Sequence, residues 1–216
     1  MSFGRYVYTR LKRAKLEDLA QNVDGANKAV KAAARAVEDA NEPVQDGQAV
    51  RDSIDDDLDD SAQNSRLALG SRSLHATDES PYKDIFPRGI EYYTAAPQDK
   101  EVQVFSEFKQ RLETHLPATD AVRTTTVPLV TQGLTDYAGA IDSLTKARNA
   151  HAILKTALET AEESWGLLME KTYGALVARF GKRKAERYFP RRKRAEATEN
   201  GGEASETPVP GTTTPG

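Results

Sequence analysis

The chain has 216 residues, no cysteine, and a formal net charge of -3 from 30 Lys and Arg against 33 Asp and Glu. That length allows one domain or two small ones with a buried core, and the missing Cys excludes disulfides, thiolate nucleophiles and Cys-ligated zinc together. The near balance of charge gives no general field toward nucleic acid, and an Ala, Leu, Glu, Lys and Arg-rich composition with 7% aromatic residues leans helical.

The first twenty residues, MSFGRYVYTRLKRAKLEDLA, are broken by charge every few positions and lack the apolar stretch of a secretory signal. No later run approaches the roughly 18 apolar residues of a membrane span. The expectation is a cytoplasmic protein with no membrane span. The same opening stretch holds Arg5, Arg10, Lys12, Arg13 and Lys15 beside Tyr6 and Tyr8.

Between positions 16 and 44, Ala26, Val30, Ala33, Val37, Ala40 and Val44 alternate spacings of four and three, which predicts a helix with one apolar face. Ala on that face lets two backbones approach closely and supplies less apolar area than Leu would, so a thin core is expected. PVQDGQAV at 43 to 50 marks either a turn or the start of a long helix at Pro43. Val50, Ile54, Leu58, Ala62, Ser65 and Leu69 continue as a second amphipathic run, with Gly70 as its stop. LHATDESPYKDIFPRG then reads as a loop whose Tyr82, Ile85 and Phe86 return to the core.

A helix is predicted to start at Pro97, with Asp99 and Glu101 suiting its N-terminus, and to carry Phe105, Phe108 and Leu112 until Pro117 ends it. Leu129, Leu134, Tyr137 or Ala138, Ile141 and Leu144 suggest another, whose start is obscured by Pro128 and Gly133. The clearest pattern comes last. Ala147, His151, Leu154, Leu158, Ala161, Trp165 and Leu168 form a heptad seam that extends through Leu176 and Phe180 and stops at Gly181 or Tyr188. Residues 195–216, rich in Pro, Gly, Thr and Glu, are expected to be a disordered tail.

SPYKDIFPRG at 80–89 echoes AERYFPRRKR at 185–194. A shift of 103 residues superposes the two Phe-Pro pairs and lays the Ala-rich stripe near 26–40 over 129–143. The expected fold is therefore all-α, an antiparallel bundle of long helices. An internal duplication into two stacked helical-hairpin units, 1–95 and 96–194, is its stronger form.

Site chemistry is sparse. Asp52, Asp55, Asp56, Asp57, Asp59 and Asp60 crowd nine residues, but an EF-hand register from Asp55 puts Asp60 where Gly belongs and Arg66 where Glu belongs. They read as a solvated or partner-facing stripe. His75, His115 and His151 lie far apart without a zinc motif, and Glu159, Glu162 and Glu163 lack the Glu-x-x-His pairing of a di-iron bundle. No glycine-rich phosphate loop is present. No cofactor, no metal and no catalysis are expected.

What remains is RFGKRKAERYFPRRKR, where Arg179, Lys182, Arg183, Lys184, Arg187, Arg191, Arg192, Lys193 and Arg194 surround Phe180, Tyr188 and Phe189. The expectation is a structural or adaptor protein that contacts a protein partner, or another copy of itself, through helical faces and this basic pole. Nucleic-acid binding without sequence preference is the alternative, because such a patch can contact a phosphate backbone.

Overall fold

Asp120 accepts a hydrogen bond from the backbone N–H of Val122 at 2.9 Å and so caps the N-terminus of the longest element in the protein. In the computed structural model, which describes residues 3–190, that element runs unbroken from Ala121 to Phe180 as α7. The other helices are α1 (Phe3–Arg13), α2 (Glu17–Asp39), α3 (Glu42–Gly70), α4 (Tyr82–Ile85), α5 (Glu91–Thr94), α6 (Glu101–His115) and α8 (Lys182–Ala185). No strand occurs among the described residues, and the fold is an all-α bundle. No helix among them is long and apolar enough to cross a membrane.

Two helices expected between 120 and 180 are one, of 60 residues and therefore about 90 Å long. Pro128 does not break it. The ring sits exposed in the second turn, where the hydrogen bond it removes can be replaced by water. Pro97, by contrast, lies ahead of α6, in a turn closed by Lys100 N–H donating to the Pro97 carbonyl at 2.7 Å; α6 itself begins at Glu101. α6 stops at His115, just before Pro117, and α3 stops at Gly70, both as the sequence indicates.

Of the two readings of PVQDGQAV, the long helix is the one adopted. Ala40 and Asn41 keep right-handed helical dihedrals between α2 and α3, and Pro43 stands in the first turn of α3. A missing N–H and a ring that crowds the preceding turn interrupt the ladder there. Residues 17–70 consequently form one arm with a break in it, lying antiparallel to α7. The pairings show the register. Ser65 and Thr126 share a buried hydroxyl hydrogen bond of 2.9 Å. A Cβ on Gly133 would stand 2.8 Å from Leu58 Cδ2, and one on Gly47 would stand 3.3 Å from Leu144 Cδ1. Each step of seven or eleven residues back along the arm is matched by an equal step forward on α7, so both helices keep one face toward each other through whole heptads and hendecads.

The seam positions can be labelled a and d. On α7, His151, Leu158 and Trp165 are a and Leu154, Ala161 and Leu168 are d; on the arm, Val30, Val37 and Val44 are a and Ala26, Ala33 and Ala40 are d. The arrangement does not confirm the internal duplication. The first half of the chain supplies the broken arm and the second supplies the unbroken rod.

Two cores cap the hairpin. In one, Phe86, Tyr93, Phe105 and Phe108 from α4–α6 and their flanking loops pack on Leu58, Leu69 and Val130, with ring centroids 4.9–6.4 Å apart. Tyr93 donates its hydroxyl to the Ile85 carbonyl at 2.7 Å, which satisfies the one polar atom in the cluster. In the other, Val7 and Leu11 of α1 pack on Ala20, Val23, Met169 and Leu176. From residue 24 to 57 on the arm, and from 145 to 168 on α7, no residue is fully buried. The thin core read from the Ala stripe is a two-helix stalk.

Candidate functional site

Gly181 ends α7 with φ +75, a conformation that a side chain would resist, and the chain turns back through α8 and a 3-10 turn at Glu186–Tyr188. Ala185 is fully buried and anchors that return. Phe189 then reaches Tyr173 edge-on at 5.5 Å and Phe3 at 6.1 Å, and Phe3 meets Trp165 edge-on at 5.8 Å. Trp165, half-buried in this core, donates its indole N–H to Asn27 Oδ1 at 2.8 Å. Phe189 therefore ties the segment that follows α7 to α1.

Gly4 makes that junction possible. A Cβ there would stand 1.9 Å from Asn27 Oδ1, the atom already held by Trp165. Gly4→Ala is expected to push α1 off α2, break the Asn27–Trp165 bond and cost about 1–3 kcal/mol. The check is Trp fluorescence, since Trp165 is the sole Trp; an unshifted emission maximum and an unchanged melting curve would count against this packing.

Between α1 and the returning segment lies a cleft of about 1030 Å³, lined by Tyr6, Arg10, Tyr173, Arg183, Glu186, Arg187, Phe189 and Pro190. The fold thus joins two basic stretches from opposite ends of the sequence. Arg183 and Arg187 line the cleft, Arg179 and Lys184 lie over the Phe180 ring at 5.8 and 4.6 Å, and Lys182 is exposed at the turn. Phe180 in turn stacks on Tyr188 at 6.2 Å. None of these five cations forms an ion pair among the described residues. Arg191, Arg192, Lys193 and Arg194 and the tail at 195–216 lie outside the described residues.

The acidic stripe sits elsewhere. Asp55 acts electrostatically on Tyr137, more than 35 residues along α7 from Tyr173, so about 50 Å separates the stripe from the cleft. Asp52, Asp56, Asp57 and Asp60 are exposed as expected, but Asp55 and Asp59 are half-buried beside Glu101. Glu101, read from the sequence only as a helix-start acid, is 2% exposed. Burial, the charge of Asp55 and a hydrogen bond to it push the Glu101 carboxyl up to about 8. Burial and the charges of Asp55, Asp56 and Asp60 push Asp59 up to about 6. No sequence pattern marks Glu101, because its burial comes from α6 packing on α7, which brings it beside Asp55 and Asp59 of α3. Among the described residues no group of three or more His, Asp or Glu side chains is placed to hold a metal ion. His75 and His115 are exposed, and His151 is half-buried on the seam of α7.

No protein-family model, no curated protein and no solved structure matches the chain.

Proposed function

We propose that this is a non-enzymatic structural or adaptor protein that docks an acidic protein surface in the cleft at its basic end. The observation that carries the reading is the meeting of Arg10 of α1 with Arg183 and Arg187 from beyond α7 around one cleft, where Glu186 is the one acidic residue in the lining and none of the three arginines forms an ion pair among the described residues. Guanidinium groups there can engage carboxylates in paired hydrogen bonds. The nearby rings support a protein partner over nucleic acid. Phe180, Phe189 and Tyr173 are half-buried and packed on one another or on Tyr188 and Phe3, which leaves little free ring face for bases to stack on.

The test is a titration of the full chain, across a salt series, with a peptide of residues 50–62 of this chain, an unrelated acidic helix, and random-sequence duplex and single-stranded DNA. Binding of an acidic peptide that weakens at least tenfold in Arg10→Glu/Arg183→Glu/Arg187→Glu is the expected result. Tight, steeply salt-dependent DNA binding with none to the peptides would favour the nucleic-acid reading. No binding to any of them would remove the cleft as a contact site.

A further inference from the structure

Apart from Val122 in the first turn of α7, which is buried at a g position, the packing onto the helical hairpin among the described residues is on one side. The residues buried under α1 (Ala20, Met169, Leu176) and under α4–α6 (Ala62, Leu69) occupy a single heptad position, e, on both the arm and α7. In an antiparallel pair like flanks meet, so the c and g positions of both helices share the opposite side. Among the described residues no other element buries that side of the stalk.

That open side is uncharged where the stalk is thinnest. On α7 its exposed positions from 147 to 168 are Ala150, Ile153, Ala157, Thr160, Ser164 and Leu167; on α2 its positions from 22 to 36 are Asn22, Gly25, Ala29, Ala32 and Ala36. None of them is charged. The charges of the same segments fall on other positions: Lys28, Lys31 and Arg35 on α2, and Lys155, Glu159 and Glu163 on α7. Ile153 is 70% exposed, and of the exposed large apolar side chains Val50, Leu67, Leu129 and Leu167 lie at c or g as well. A two-helix stalk with a half-buried seam and an uncharged flank lacks the second layer that helical bundles use to exclude water.

We propose that a second copy of this chain covers the c/g face of the stalk, so that two hairpins form a four-helix stalk around a two-fold axis. Self-complementarity argues for a second copy over a foreign partner. The one face carries both protruding side chains (Ile153, Leu167) and hollows (Gly25, Ala29, Ala32, Ala157), as a two-fold contact demands. A Cβ on Gly25 would meet no neighbour within 4 Å, so the hollow there is open. The area fits too. About 22 residues of stalk at 1.5 Å each and two helices about 10 Å apart give roughly 650 Å² per copy, near the ~800 Å² per partner of a stable interface. An end-over-end axis is the sense that charge favours, because a parallel pairing would stack Asp46, Asp57, Asp60 and Asp136 on this face against their own copies. The basic cleft lies beside α1, on the covered side, and stays open in the pair.

The experiment is sedimentation of the full chain over a concentration series, for wild type, for Ile153→Asp/Leu167→Asp on the open face, and for Lys155→Asp on the charged flank. Wild type and Lys155→Asp should sediment as dimers. The double variant should sediment as a monomer with unchanged helical circular dichroism, its replaced side chains being exposed in the single chain. The absence of native Cys gives a second measurement that depends on no disruptive change. Ala157→Cys should be cross-linked to a dimer by a short bis-maleimide, and Glu159→Cys should not. A monomeric wild type at every concentration, or equal cross-linking at 157 and 159, overturns the proposal.

Discussion

Phe108→Ala is expected to lower the stability of the α4–α6 end by about 3–5 kcal/mol, the range for emptying an aromatic site in a packed core. Phe108 is fully buried and touches Phe86, Tyr93 and Phe105 at centroid distances of 5.7, 4.9 and 6.1 Å, so truncation removes one member of three ring pairs and leaves a cavity among rigid groups. The stalk gives the result a distinctive form. From residue 24 to 57 on the arm and from 145 to 168 on α7 no residue is fully buried, so damage at one end is poorly transmitted to the other. Trp165 reports the basic end alone, whereas far-ultraviolet circular dichroism reports the whole chain. The variant should therefore lose part of its helical signal at a lower denaturant concentration than it loses its native Trp emission. Coincident transitions in the variant, with a midpoint like that of wild type, would show that Phe108 is not the keystone of a separate core.

Alkaline pH is expected to destabilise the wild-type protein through Glu101. Its carboxyl titrates at about 8 in the fold, against 4.5 as an ordinary side chain, chiefly because burial disfavours the charged form and secondly because Asp55 is beside it. Between those two values the folded chain keeps a proton that the unfolded chain has released. Stability is then full below about pH 4.5, falls as pH rises toward 8 by up to about 1.4 kcal/mol per pH unit, and levels off above. Asp59, raised to about 6 chiefly by burial, adds a loss of the same sign at the acidic end of the window. A fall in Tm of roughly 5–10 °C between pH 5 and pH 8 is the expected size. Glu101→Gln keeps the shape, donates to Asp55 at every pH and cannot ionise. It should match wild type near pH 5 and be the more stable of the two at pH 8. A wild-type Tm that is level or rising across this range, or a variant that follows wild type at both ends, would sink the account.

Helix type and the seams were legible in the sequence because both are local. The heptad from Ala147 to Leu168, the four-three stripe from Ala26 to Val44 and the stops at Gly70 and Pro117 are properties of neighbours along the chain, and periodicity places them without any partner. Even the thinness of the stalk followed from Ala, since side-chain size is written in the sequence. Only tertiary structure decided the rest. Whether Pro128 ends a helix depends on whether the backbone it disturbs faces water, and here the ring is exposed, so one 60-residue rod replaces two helices. Which of two readings Pro43 takes depends on α7 lying alongside both α2 and α3. The burial of Glu101, the gathering of Arg10 with Arg183 and Arg187, and the bare side of the hairpin are contacts or absences of contact between segments distant in sequence. Periodicity within one helix fixes which residues share a face; what that face meets is set by the packing of the others.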